Sequence, residues 1–558
     1  MNMILNNIMN NKKKPVLANA LFLFSQMLFT ISCLKIPAFG LVALVKALLI
    51  PAILFTLGAL ILLADKNPFE SLDWSGLKPV MSYKIMAVFL FGFLLIYNGL
   101  NLLTVINFPL MALLVGLSIG YLWMLYYEFS GRLDRAVYIF FICFPFLNLA
   151  EYWLNITKEA FEGGFVFTPT IFFIFSLFLG VFAEIKNNKM ILSRVHIIIF
   201  LCLQLFLVSG LISSLFSIAP WESFNQYLLQ YVYPMLMLPV AYLGINSKEK
   251  IGKYINVLIA GCLINVLLFF YIFERQAKGF SSLIDIYSAA LLSGITSGTM
   301  AILILFILPL ILFMIFSEMN KLRTWVYWGI FALFLLLLLF SFSRGSLVAF
   351  LASTFVLFFS KRIKQYALTI GIILALIGLI SITLNSTNTF NRYSTLINGL
   401  SDSSSRAHFN AWSGTLDMIR DYRIFGIGSG MWDRYVAHYV PTQEIGLKIK
   451  GKVWLKGYIT DPHNIYLRIW IELGIMGLIA WLAFIALNVV NGILILRANF
   501  NKNQVKYYLG LSFLIYLIAN ALRDFTTADL FANELFLYGC IFWAVNGAFI
   551  RMLNLNNV

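Results

Sequence analysis

The feature that most constrains this chain is the recurrence, from Leu21 to Ile550, of apolar runs, each of roughly 20 residues and so long enough to cross a bilayer core of about 30 Å. Inside hydrocarbon no water satisfies the backbone N–H and C=O groups, so such runs fold only as helices or as a closed barrel. Strand segments alternating between apolar and polar residues are absent, which leaves helices. Composition agrees: 61% of the 558 residues are hydrophobic and only 11% are charged, against roughly 25% charged residues in soluble domains. The expectation is an all-α fold, a polytopic transmembrane helix bundle, and composition argues against a soluble one.

A net charge of +16 could point to nucleic acid, but most of the lysines and arginines fall in short clusters between apolar runs, where they set topology. No nucleic-acid partner is expected; membrane lipids are. The clusters run Lys12 to Lys14, Lys186 to Arg194, Lys248 to Lys253, Lys321 to Arg323, Lys361 to Lys364 and Arg497 to Lys506. Placing all of them in the cytoplasm requires an even number of spans between neighbours and closes with about 14–16 helices and both termini inside. Lys12 to Lys14 ahead of an apolar run resembles a signal peptide; no small-residue cleavage site follows, so the run is read as a retained first span. The five cysteines, Cys33, Cys143, Cys202, Cys262 and Cys540, lie in or beside apolar runs without CxxC spacing, giving neither a disulfide framework nor a zinc site.

Under this topology residues 385–464 form one long external loop, although its arginines and lysines, from Arg392 to Lys456, outnumber its acids. Long loops escape the charge rule, so a solvated loop and a site for an anionic substrate both remain open. Three of the chain's four histidines, His408, His438 and His463, sit in the loop, and Phe409, Trp412, Leu416 and Ile419 recur at helical spacing. Such a stripe suits a partly helical loop lying against the membrane or the bundle.

Two short constellations could do chemistry. Ser341-Phe342-Ser343-Arg344-Gly345-Ser346 lies between two apolar segments bracketed by cytoplasmic clusters, so Arg344 sits at the external end of a tight helical hairpin. Its guanidinium stays charged and needs an acid, carbonyls, lipid headgroups or a ligand phosphate; flanking serines and a glycine permit close approach. The second is Asp461-Pro462-His463-Asn464, just before the apolar run that opens at Ile465. Pro462 disfavours helix for Asp461, so a helix is expected to begin near His463 at the membrane surface. A histidine there can take a proton from a hydroxyl at neutral pH, and Asp461 could orient its ring.

The run Phe425-Gly426-Ile427-Gly428-Ser429-Gly430 is not a phosphate loop or dinucleotide fingerprint, since no Lys-Ser/Thr follows and no strand–helix unit contains it. A sharp turn ending the preceding helix is the expectation. No cofactor is expected. His408, His438 and His463 match no metal-ligand spacing, so no metal site is expected either.

Taken in order, Ser343-Arg344-Gly345, a long external loop with an arginine and Trp412, Gly426-Ile427-Gly428-Ser429-Gly430, and Pro462-His463-Asn464 with Glu472 and Gly474 resemble the O-antigen ligase and polymerase superfamily, over roughly residues 298–550. The resemblance implies a metal-independent inverting glycosyltransferase of the bacterial inner membrane, multi-pass, with its active site on the periplasmic face. An undecaprenyl-diphosphate-linked glycan would be the donor, and a lipid A core or a growing glycan the acceptor. Carried onto this chain, Arg344 and Arg406 would bind the diphosphate and His463 would activate the acceptor hydroxyl, with His408, Trp412, Asp461 and Asn464 as further substrate contacts. In the family the loop arginine usually precedes the tryptophan by four residues; here His408 holds that place and Arg406 lies two earlier, about 200° away on a helix. Which of the two fills the position stays open, and Arg406 serves only if the helix starts after it.

The resulting division is 1–180, N-terminal transmembrane helices without a match; 181–384, a bundle with the Ser-Arg-Gly hairpin; 385–464, the periplasmic catalytic loop; and 465–558, C-terminal transmembrane helices. Ligase is the expected activity and polymerase the alternative. A transporter or flippase for the same lipid-linked sugars is the alternative of another class; it would place ionisable residues at mid-membrane within broken helices.

Overall fold

Long apolar sequence becomes helix here because the helix bonds its own backbone. The computed structural model describes residues 108–129, 131–153, 169–187, 194–276, 297–341, 343–359, 369–371, 403–436, 438–439, 462–527, 530 and 536–554. The expected spans before residue 108, the basic cluster at Lys12 to Lys14, Cys33 and Asp461 lie outside the described residues. Helices in chain order are α1 (Phe108–Phe129), α2 (Leu133–Trp153), α3 (Pro169–Asn187), α4 (Arg194–Phe216) and α5 (Pro220–Tyr227). A π-helical turn (Leu228–Val232) and one short turn (Tyr233–Met235) lead into α6 (Met237–Gly244). Then follow α7 (Lys248–Gln276), α8 (Ser297–Ser317), α9 (Lys321–Phe340), α10 (Arg344–Thr354), α11 (Ser403–Tyr422), α12 (Trp432–Val436), α13 (Ile465–Asn499), α14 (Gln504–Arg523) and α15 (Phe536–Asn554).

The described residues contain no strand, and six of their helices are long and apolar enough to cross a membrane. The expected all-α membrane bundle is what is found. Helix starts follow capping chemistry: Asn320, Asn464 and Asn503 each accept backbone N–H bonds from the first turn of α9, α13 and α14, satisfying donors that the helix itself leaves unpaired. In the core, α8 is sheathed by protein along nearly its whole length, whereas α9 turns most of its surface outward. α13 packs along α4 and α14, and α10 packs on α14.

At 35 residues, α13 would run for about 52 Å at 1.5 Å per residue, far more than a bilayer core requires. It is broken at Gly474, whose φ of 76° and ψ of 179° are not helical. A break strands the carbonyls before it and the N–H groups after it. The glycine-rich run supplies their partners: Ile427 N donates to Ile471 O at 2.8 Å, Gly428 N to Glu472 O at 3.2 Å, and Ile475 N donates to Arg423 O at 3.0 Å. Ser213 of α4 joins by accepting from Gly428 N at 3.0 Å and donating to Glu472 O. Positive φ at Gly426, Gly428 and Gly430 makes the sharp turn after α11 that the sequence leads one to expect.

Side chains seal the joint. The Glu472 carboxylate receives Arg468 Nε at 3.1 Å and Tyr231 Oη at 2.8 Å, and Tyr231 reaches it from the π-helical turn. Arg468 is 6% and Glu472 1% exposed, so losing one partner would leave an uncompensated buried charge, at a cost of about 3–5 kcal/mol. Leu467, Trp470 and Ile471 from the short half of α13 then meet Ala411, Met418 and Ile419 of α11 and Trp432 of α12 in a small second core. The segment from α11 to α12 is thereby seated on the bundle.

Gly474 is the position most sensitive to a side chain, because a Cβ there would lie 2.0 Å from Ile424 O in a backbone region that only glycine occupies readily. Gly474→Ala is expected to cost at least about 1–3 kcal/mol. Gly329→Ala, whose Cβ would meet nothing within 4 Å on α9, should be neutral or gain up to about 1 kcal/mol. Thermal unfolding of the two variants in detergent checks the contrast; equal midpoints would show that the break does not hold the fold.

Candidate functional site

The start of α13 is fastened to the end of α14. The last carbonyls of a helix lack intrahelical donors, and those of α14 and the turn after it are bonded from α13. Ile465 N donates to Asp524 O at 2.9 Å, Asn464 Nδ2 to Phe525 O at 3.2 Å, and Tyr466 Oη to Ala521 O at 2.8 Å. In return the orphan N–H groups of α13 are met by Asn464 Oδ1, which accepts from Tyr466 N at 3.0 Å and Leu467 N at 3.1 Å. The helix therefore begins at Ile465, two residues later than the sequence suggests.

His463, just outside this cap, has φ of 45° and is, among the described residues, the one non-glycine residue with positive φ. Such a conformation costs about 1–3 kcal/mol and persists where the surroundings over-determine it. Here buried Pro462 precedes it and the capped, doubly tied helix start follows. The half-buried imidazole is turned against His408 of α11, ring centroids 4.5 Å apart. Two histidines 55 positions apart in sequence are thus brought together, and a third, His438, is exposed beyond α12.

Arg344 is the first residue of α10, so the expected hairpin, α9 then α10, is present. A cation at a helix N-terminus sits at the unfavourable end of the dipole; guanidinium and helix N–H groups together make a place suited to an anion. Gly345 is required by packing rather than by a ligand: a Cβ there would come 2.2 Å from Thr526 Oγ1. The close approach that glycine permits is therefore made by the turn after α14. Ser346, buried one position on, accepts from Ser343 Oγ at 2.8 Å and from Arg523 Nε at 3.2 Å.

Arg523 is the residue that sequence reasoning missed. It closes α14, is 2% exposed, and also donates to Thr527 Oγ1 at 3.3 Å. As a cation at a helix C-terminus it is favourably placed. The turn 523–527 is thus bonded on one side to the α13 start beside His463 and on the other to the α10 start bearing Arg344.

The other residues singled out from sequence fall as follows. α11 begins at Ser403, so Arg406 lies within the helix and not in loop before it, about 200° around from His408. Trp412 is half-buried one turn beyond His408, with its indole N–H unpaired. Asn464 has both polar atoms of its side chain committed to the cap and to Phe525; it builds the helix start. Asp461 lies outside the described residues.

Residues 329–482 match the family model described as O-Antigen ligase. That stretch is a minority of the chain, yet it holds Arg344, Arg406, His408, Trp412, Asp461, His463, Asn464, Glu472 and Gly474, while Tyr231 and Arg523 fall outside it. The match supports a membrane glycan enzyme of ligase or polymerase type, with lipid-linked glycan and acceptor substrates in general. No curated protein matches the chain.

Asn464 separates structural from chemical roles. Asn464→Ala, which removes the cap, should lower stability by about 0.5–2 kcal/mol. Asn464→Ser keeps an accepting oxygen for the cap without setting a carboxylate against Phe525 O and should retain more of the wild-type unfolding midpoint. If the two variants unfold alike, the cap does not hold the helix start.

Proposed function

We propose that this chain is a membrane glycosyltransferase that moves a glycan from an undecaprenyl-diphosphate carrier to an acceptor hydroxyl on the periplasmic face of the bacterial inner membrane, acting as an O-antigen ligase on a lipid A core. The observation that carries the reading is the meeting of His463 with His408 at a strained helix start, tied through the 523–527 turn to the helix that Arg344 opens. His408, His463 and Arg344 lie within the segment similar to O-antigen ligases.

In this reading His463 takes the proton of the acceptor hydroxyl as its oxygen attacks the anomeric carbon. The new C–O bond forms opposite the diphosphate, the old anomeric C–O bond breaks, and its electron pair leaves on the phosphate oxygen, which inverts the anomeric configuration. Charge growing on the diphosphate is met by the Arg344 guanidinium, whose planar fork bonds two phosphate oxygens at once, and by the N–H groups that begin α10. His408, in contact with His463, takes the place of the loop arginine; Trp412 and Asp461 are assigned to substrate contact. Proton acceptor and leaving-group cation are both protein side chains, so transfer is assigned as metal-independent and should survive chelation with EDTA.

A carrier for the same sugars would open charged groups to its cargo at a helix break, and α13 is broken at Gly474. Arg468 and Glu472, however, are committed to each other and Glu472 also to Tyr231. That makes the break a structural joint and favours the transferase.

The test compares turnover with donor affinity. His463→Ala should cut transfer by about 10²–10⁴ with donor still bound. Arg344→Lys should also lose most activity, because a point charge cannot reproduce a bidentate contact, and should weaken donor binding as well. His438→Ala should be near neutral. A His463→Ala protein that loses donor binding in step with turnover would remove histidine from the role of base. Cells without the gene that lack capped lipopolysaccharide fit a ligase; cells with merely shortened chains fit the polymerase.

A further inference from the structure

α11 is seated on the bundle by one face only. Ala411, Thr415, Met418 and Ile419 are buried, while Phe409 and Leu416, seven residues apart and so on one side of the helix, are 53% and 45% exposed. Just past the helix Ile424 and Phe425 are exposed as well. Phe425 stacks on Phe216, ring centroids 4.9 Å apart at 22°. Phe216 is the last residue of Val195–Phe216, a helix long and apolar enough to span, and aromatic side chains at such helix ends are enriched where hydrocarbon meets headgroups. A ring stacked on it shares that depth.

From this juxtaposition we infer that the exposed edge of α11, Phe409 and Leu416 together with Ile424 and Phe425, is immersed in the outer leaflet, making α11 an interfacial helix docked on lipid. The apolar edge is continuous with the lipid-facing surface of α4 through the Phe216–Phe425 stack, which is why lipid and not a water-borne protein is its occupant. Arg420, one turn beyond Leu416 on the same side of the helix and paired with Asp417 at 2.8 Å, and the exposed Arg423 place cationic heads at the end of this edge, where long side chains reach phosphate headgroups while their stems stay in apolar surroundings. His408 precedes Phe409 in the chain, so immersion holds the His408–His463 pair at headgroup depth, the depth at which a lipid-borne diphosphate travels. The choice of the outer leaflet rests on the periplasmic placement proposed above; the immersion itself does not.

Leu416→Cys and Phe409→Cys, each labelled with an environment-sensitive fluorophore in lipid nanodiscs, test the inference, with labelled parent protein subtracting the native cysteines. Asp421→Cys, about 140° further round the helix than Leu416, serves as the water-facing reference. Blue-shifted emission at 409 and 416, quenched severalfold more by nitroxide high on the acyl chain than at 421, is the expected result. Emission at 409 and 416 quenched by aqueous iodide as strongly as at 421 would overturn it. So would blue-shifted emission insensitive to the lipid nitroxide, since the edge would then be covered by protein. Because no variant needs to turn over substrate, failure of the docking and failure of the proposed chemistry are read separately.

Discussion

Everything at the end of the bundle that carries His463 and Arg344 depends on how one interrupted helix recovers its lost hydrogen bonds. In hydrocarbon an unpaired peptide group costs several kcal/mol, so α13 can break at Gly474 only because Ile427, Gly428 and Arg423 bond the groups the break exposes. Each needs the other. Without the break the glycine-rich run has no acceptors to dock on, and without the run the break is too costly to form. The Arg468–Glu472–Tyr231 set adds a side-chain tie to this exchange, one carboxylate oxygen bonded within α13 and the other from the π-helical turn.

The order of construction follows from that joint. Because the break turns the short half of α13 into a separate piece, Leu467, Trp470 and Ile471 can face the external segment while the longer half stays among the spans. The short half then carries the strained His463 at its tip, held by carbonyls that α14 leaves unbonded at its own end. Helix termini, normally the weakest part of a membrane helix, here serve as the attachment points.

What could be read from the sequence was what local composition determines: membrane class, the α9–α10 hairpin with Arg344 at its tip, the helical stripe of α11, and the turn in the glycine-rich run. What could not be read was set by partners far away in the chain. Arg523 looks like one more charge at the end of an apolar run; its importance comes from Ser346, 177 positions earlier. Gly345 suggested room for a ligand, and only the fold shows Thr526 occupying that room. Asn464 before an apolar run is an ordinary capping signal, outweighed in the reading by the proline and histidine beside it. Gly474 within a long apolar run resembles a tolerated helix glycine, and nothing nearby announces the segment that crosses it. The left-handed backbone of His463 is likewise a product of tertiary constraint.

One mechanical property follows from the turn after α14. The helix starts beside His463 and at Arg344 are both anchored to the same five residues, 523–527, the first by one backbone bond and the Asn464 side chain and the second by steric fit and a serine. Tilting or sliding of α14 would therefore carry the two together as a lever carries its load. Their mutual spacing is therefore set by one short turn and not by the long path of chain between them.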